Sequence, residues 1–274
     1  MTSGGDQGLL LGQHTPIIQE YSPSILYPIP RHSARQNLGL GHVLPFQGVD
    51  LWHAYELSWL DISGKPVVRV GRFSVPASSP NIVESKSFKL YLNSLNNSQF
   101  SCTEDALRTI TTDVSAVAGA DISLTLYAVD DSALTGTLLQ GECLDACTFD
   151  SGRGEPDAMQ LEVHRGEIVE EVLYSHLLRS LCPVTGQPDW ATVWLHYRGS
   201  AIIHRSLLRY IVAYREHREF HEQCLERMFC AISMRSEVEF LHMQAFYTRR
   251  GGLDISPFRT TDGNAQALPR LNRQ

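Results

Sequence analysis

The chain has 274 residues, of which 43% are hydrophobic and 19% charged, and its formal net charge is -7. That is apolar side chain enough for one large or two ordinary soluble domains, while the acidic balance argues against tRNA or DNA as a direct partner. No stretch reaches the apolar length of a bilayer span, the proline-bearing N-terminal stretch lacks a signal-peptide core, and six cysteines without paired zinc-type spacing point to reduced thiols in the cytoplasm.

Residues 1–48, rich in Gly, Pro and polar side chains, are expected to wrap the surface as an irregular arm. Leu51 to Leu60, with Trp52, Tyr55, Leu57 and Trp59, reads as a strand. Gly64-Lys65-Pro66 marks a turn, and Val67 to Val75 is a second, β-branched strand. Ser85 to about Leu95 follows a helical pattern through Phe88, Leu92 and Leu95. Ser101-Cys102-Thr103-Glu104 has the form of a capping box, behind which Leu107, Ile110, Val114 and Val117 recur at helical spacing. Ile122, Leu124 and Leu126 alternate with polar residues as in a half-buried strand. The first half therefore reads strand, strand, helix, helix, strand.

Asp130 to Glu155, with Gly136, Gly141, Gly152 and Gly154, is the expected linker. The second half repeats the order. Val169 to Leu181 and Trp190 to Tyr197 read as strands, with Arg198-Gly199-Ser200 as a turn. Leu207, Leu208, Ile211 and Val212 suit one helix, and Phe220, Cys224, Met228 and Ile232 suit another. Val238 to Ala245 forms a third strand. The interval from Trp59-Leu60 to Gly64 also recurs from Trp194-Leu195 to Gly199. The expectation is an α+β chain with a duplicated unit: an arm at 1–48, modules at 49–150 and 151–259, and a frayed tail at 260–274.

Chemistry concentrates in four places. In Ser180-Leu181-Cys182-Pro183-Val184-Thr185-Gly186-Gln187-Pro188-Asp189-Trp190, two prolines and a glycine exclude a regular helix and predict a stiff loop. Such a loop can hold Cys182 near Asp189. A thiol attacks as thiolate, so Asp189 could take its proton and return it to a developing negative atom on the substrate. A small buried cysteine beside a turn is the bland alternative. In Phe220-His221-Glu222, an ionised Glu222 in the first turn of a helix suits the N–H edge of a guanine-like base, or merely a favourable helix start. Asn81-Ile82-Val83-Glu84 repeats that situation as a cap before a first-turn acid. Ser85, Lys86 and Lys89 behind it suit a phosphate at a helix N-terminus, or a solvated basic face. Arg249-Arg250-Gly251-Gly252 is either a phosphate clamp or a basic turn. No Rossmann fingerprint is present, because Gly39-Leu40-Gly41-His42-Val43-Leu44 lacks its third glycine.

Four segments in this order resemble the NADPH-dependent 7-cyano-7-deazaguanine reductases of queuosine biosynthesis, in their long, two-module form. They are Glu84-Ser85-Lys86-Ser87-Phe88-Lys89-Leu90-Tyr91, Cys182 to Trp190, Phe220-His221-Glu222 and Arg249-Arg250-Gly251-Gly252-Leu253-Asp254-Ile255. Ala191 stands where the family's pattern leads one to expect glycine. The resemblance implies a tandem tunnelling fold, each module an antiparallel sheet backed by two helices. It implies reduction of a nitrile to a primary amine by two NADPH through a covalent thioimide. On it, Cys182 is the nucleophile and Asp189 the general acid. Val83, Glu84, Ser85, His221 and Glu222 bind the deazapurine base, while Ser85, Lys86, Arg250 and Gly251 take NADPH. It implies no metal and, because tunnelling-fold proteins complete barrels by association, a homodimer. Three rivals are a zinc-dependent enzyme like GTP cyclohydrolase, a non-catalytic purine-binding module and a cysteine hydrolase.

Overall fold

The structure, a computed structural model, describes residues 18, 20–148 and 154–274. In chain order its elements are β1 (Pro28–Pro30), α1 (Arg31–Asn37), β2 (Gln47–Leu60), β3 (Pro66–Pro76), β4 (Asn81–Val83), α2 (Ser85–Ser94), α3 (Thr103–Ala118) and β5 (Ser123–Tyr127). There follow β6 (Glu142–Cys143), β7 (Val163–Leu181), β8 (Pro188–Ile202), α4 (His204–Ala213), α5 (His221–Ser236), β9 (Phe240–Tyr247) and β10 (Leu253–Thr260). The chain divides into two units. Unit 1 takes residues 1–32, 53–131 and 251–253, and unit 2 takes 33–52, 132–250 and 254–274.

In unit 1, β3 lies between β2 and β5, and pairs antiparallel with β5 so that Gly71 faces Leu126 and Phe73 faces Leu124. The helix α3 buries Ala106, Ile110, Val114 and Ala118, four residues apart each time, so a single stripe meets the core. It ends at Gly119 in the left-handed region, and Glu104 and Asp105 in its first turn favour the helix dipole. From α2, Phe88 meets Phe73 edge to face with ring centroids 4.9 Å apart. A small ladder pairs β1 with β4.

In unit 2 the strand order is β10-β9-β8-β7-β6. All neighbours are antiparallel except the two-residue β6, which runs parallel to β7. The core lies between this sheet and two helices. Leu207, Leu208 and Ile211 of α4 and Leu225, Met228, Phe229 and Ile232 of α5 pack with Leu195 and Tyr197 of β8 and Met243 and Ala245 of β9. Both units thus carry strand, strand, helix, helix, strand, and the chain is α+β.

Several expectations need correction. Residues 28–37 of the arm form β1 and α1, while residues 1–17 and 19 lie outside the described residues. Within the expected linker, β6 and short helical turns occur, and residues 149–153 are outside the described set. The capping box at 101–104 does not form, because α3 starts at Thr103 and its cap, Cys102, makes no side-chain bond to the helix start. Arg198-Gly199-Ser200 is no turn but the interior of β8, where Gly199 pairs with Val169. Its glycine serves close approach: a Cβ there would lie 2.8 Å from the Ser236 carbonyl oxygen. Gly64, by contrast, sits in the turn after β2, so the recurring Trp-Leu-Gly interval does not mark equivalent positions. The tail is not frayed. Leu271 and Gln274 are buried, and Gln244 brackets Leu268 with two bonds of 3.1 and 2.7 Å. The strand β10 escaped notice because it is buried on both faces and shows no alternation.

Candidate active site

Cys182 opens the connection between β7 and β8, and the loop closes on that residue. Its amide donates to the Gln187 carbonyl and its own carbonyl accepts from the Gly186 amide, both at 2.9 Å. Gly186 makes the turn with φ +67°, a conformation most side chains resist. Before the loop, the Leu181 amide donates to the His217 carbonyl at 2.8 Å, tying the hairpin to the segment that enters α5. That segment is itself fixed. His217 lies 3.0 Å from Glu219, and the Arg227 Nε reaches Glu219 at 3.0 Å. Burial resists the charge on Glu219, but His217 and Arg227 outweigh it and hold the carboxyl below its ordinary range.

Asp189, the second residue of β8, is buried opposite Ser180 of β7. One carboxylate oxygen accepts from the Arg250 Nη1, and the other lies 3.4 Å from the His221 Nε2. Arg250 also donates to the Gln187 side chain, so one guanidinium joins the loop to the acid. Burial pushes the Asp189 pKa up, yet the bonds from His221 and Arg250 prevail and the group is held below its ordinary value. The resting carboxylate is therefore ionised at neutral pH, the state needed to take a proton.

His221 is the first residue of α5, and its ring stacks on Tyr247 of β9 with centroids 3.8 Å apart and planes 18° from parallel. Glu222 follows it and is 2% exposed. The Gln223 side chain accepts from the Phe220 amide at 3.2 Å, which fixes the helix start.

In unit 1, Val83 and Glu84 are buried. Glu84 is the N-cap of α2 itself, not an acid behind a cap at Asn81, since Asn81 to Val83 form β4. Its two carboxylate oxygens accept from the amides of Lys86 at 2.9 Å and Ser87 at 2.7 Å. Those two amides are thus satisfied internally, and the anion affinity of this helix start rests on the side chains of Ser85, Lys86 and Lys89. The Lys89 ammonium lies 3.5 Å from Glu56, and Gly251 sits beside it, with space for a Cβ only 2.9 Å from that nitrogen.

Unit 2 therefore brings Asp189, His221 and Arg250 into contact, beside the loop that carries Cys182. Sequence reasoning missed Tyr247 and the second role of Gln187. Gln187 lay within the motif and its spacing could have suggested a loop anchor. Nothing in the pattern around Tyr247 distinguishes it from an ordinary core aromatic.

Two family descriptions match the chain. "Nitrile reductase, 7-cyano-7-deazaguanine-reductase N-term" covers residues 17–126, and "QueF-like protein" covers residues 188–266. Among similar proteins, an NADPH-dependent 7-cyano-7-deazaguanine reductase from Chromohalobacter salexigens is 48% identical over 96% of this chain and 96% of its own length. Proteins of the same name from Dechloromonas aromatica and Acinetobacter baumannii are 54% and 47% identical, over 92% and 97% of this chain and 89% and 98% of their own lengths.

Proposed function

The chain belongs to the NADPH-dependent 7-cyano-7-deazaguanine reductases, and from that premise we propose that Cys182 and Asp189 carry the nitrile-to-amine reduction through a covalent thioimide. The observation that carries this reading is the ionised Asp189 carboxylate, gripped by His221 and Arg250 next to the Cys182 loop.

The substrate is 7-cyano-7-deazaguanine and the product 7-aminomethyl-7-deazaguanine, a base of queuosine biosynthesis. Asp189 takes the Cys182 proton as the sulfur adds to the nitrile carbon, and gives it to the nitrogen. One C–N π bond is spent and one S–C bond forms. Two NADPH supply the two hydrides, one to the thioimide carbon and one to the carbon of the imine left when the sulfur departs. One further proton completes the amine and a second restores the Cys182 thiol after the sulfur departs, and His221, adjacent to Asp189, relays them. Glu222 accepts hydrogen bonds from the base edge, and Val83, Glu84 and Ser85 are the further residues we assign to the base.

For NADPH, the charges fit better than the backbone does. Lys86, Lys89 and Arg250 are cations suited to phosphate groups, with Ser85 and Gly251 beside them in sequence, whereas Glu84 already holds the first amides of α2. The repeated element order supports tandem tunnelling-fold modules, and by analogy with that fold the expected assembly is a homodimer. No described helix is long and apolar enough to cross a membrane. A cytoplasmic enzyme without direct nucleic-acid contact agrees with the acidic net charge of -7.

The test mixes protein, the cyano base and NADPH. Two NADPH should be oxidised per amine formed, and without NADPH the protein should gain the mass of the base at Cys182. Cys182→Ala should abolish both. Turnover by that variant, or an adduct on another residue, would overturn the reading.

A further inference from the structure

Away from the motifs, Cys143, Asp145 and His176 of unit 2 bring one donor atom each within 4.8 Å of one another. Three elements converge to do this. Cys143 ends β6, Asp145 lies in the short helical turn Leu144–Ala146 that follows, and His176 is on β7. The convergence depends on an irregularity. Between Ser175 and Leu178 the β7–β8 register slips, so that His176 and Leu177 together face Thr192. Such a bulge re-aims a side chain that a regular strand would point elsewhere.

The donors are also oriented by neighbours. Asp145 accepts from the Ser175 hydroxyl at 2.7 Å and from the His176 amide at 3.2 Å. The His176 Nδ1 is 2.8 Å from the Thr192 hydroxyl, a bond that fixes the ring. The Tyr174 ring also meets the His176 ring edge to face, with centroids 5.3 Å apart. Carboxylate, hydroxyl and amide partners that set the orientation of Cys, His and Asp side chains are the usual surroundings of a metal-ligand set.

We propose that Cys143, Asp145 and His176 form a zinc site. A thiolate and a carboxylate balance the charge of a divalent cation, and the sulfur and imidazole select zinc over magnesium or calcium. Three protein ligands leave the fourth position to water, and Cys143 and Asp145 are half-buried while His176 is exposed, so the ion can enter from solvent. The ion joins the edge strand β6 and its following turn to the bulge in β7. No residue of the set belongs to the reductive machinery. Sequence spacing hid the site because Cys143 and His176 are 33 positions apart and meet only across the β6–β7 ladder.

The test uses untagged protein, stripped with a chelator and kept reduced, and titrated with cobalt(II). One equivalent should bind with the near-ultraviolet band of a thiolate ligand and the strong visible absorption of a four-coordinate ion, and zinc should displace it. Cys143→Ser should remove the near-ultraviolet band, His176→Ala should weaken binding at least tenfold, and Cys182→Ala should leave both unchanged. A second measurement needs no variant: zinc should slow alkylation of Cys143 at least tenfold while Cys102, exposed in unit 1, reacts as before. Absence of a saturable band, a thiolate band that survives Cys143→Ser, or unprotected Cys143 in zinc-loaded protein would each overturn the proposal.

Discussion

The imidazole of His221 lies flat on the phenol ring of Tyr247, 3.8 Å between centroids, and from that position its Nε2 reaches within 3.4 Å of the Asp189 carboxylate. Tyr247 is 1% exposed and belongs to the buried core of unit 2 together with Cys224, so the platform beneath the histidine is held by packing. Stacking fixes the ring plane, and the ring plane fixes where the nitrogen points. Tyr247→Leu should therefore slow thioimide formation about tenfold, equivalent to roughly 1.4 kcal/mol in the barrier, with a smaller change in base affinity. Tyr247→Phe should keep most of the rate. Single-turnover mixing without NADPH measures this, and equal rates in the leucine variant and the native protein would remove Tyr247 from the mechanism.

His221 and Arg250 together set the protonation of Asp189. Burial pushes this carboxyl up, whereas His221 and Arg250 pull it below its ordinary range, and they win. Removing the guanidinium takes away one of the two stabilisers of the ionised form, so the pKa must rise. Adduct formation that needs the carboxylate then loses its acidic limb at a higher pH. Arg250→Met should shift that limb toward higher pH. A pH series of adduct formation without NADPH keeps any cofactor effect out of the measurement, and an unmoved limb would contradict the assignment.

The thiols should differ sharply in reactivity. Burial pushes Cys224 far above its ordinary range and Cys230 up to about 11, with Glu219 and Glu226 respectively adding to the effect. Neither forms thiolate at neutral pH. Brief iodoacetamide treatment of native protein should leave both unmodified and label exposed Cys102, as read by peptide mass spectrometry. After unfolding in urea, all six cysteines should react.

Unit 2 contains a buried ionic cluster. Glu226 receives Arg35 at 2.9 and 2.7 Å and Arg259 at 3.1 and 2.8 Å, and Arg259 also reaches Asp50 at 2.7 Å. Arg259 is 0% exposed and Glu226 2%. Glu226→Gln leaves two guanidiniums short of counter-charge and should cost roughly 3–5 kcal/mol of stability. Urea denaturation checks this; a loss under 1 kcal/mol would mean that the arginines find other partners.

Glu84 serves α2 before it serves any ligand. With both oxygens on backbone amides, Glu84→Ala should lower stability by roughly 0.5–2 kcal/mol, the usual cost of a lost cap. If the residue also binds the base, the affinity of Cys182→Ala protein for 7-cyano-7-deazaguanine should fall further in the double variant. Calorimetry separates the two roles, since a cap alone predicts lost stability with unchanged affinity.

The regular elements were legible because their causes are local. The helical spacing of Leu107, Ile110, Val114 and Val117 and the alternation through Leu124 and Leu126 report helix and strand in the order of residues, although the stripe that is fully buried is Ala106, Ile110, Val114 and Ala118. The stiff loop at Cys182 and the helix start at His221 were equally visible, since prolines, glycine and first-turn acids act within a few positions. Fully buried β10 and the glycine inside β8 misled the reading, because burial on both faces erases periodicity and close packing calls for glycine just as a turn does.

Sequence alone determined the element order, the repeated α+β pattern, the candidate nucleophile and the candidate acid. Only the tertiary structure decided which groups hold Asp189 ionised, that Tyr247 lies under His221, and that Cys143 and Asp145 meet His176. Each of those contacts joins strands or helices far apart in the chain. Their distances follow from sheet register and packing, which no single segment encodes.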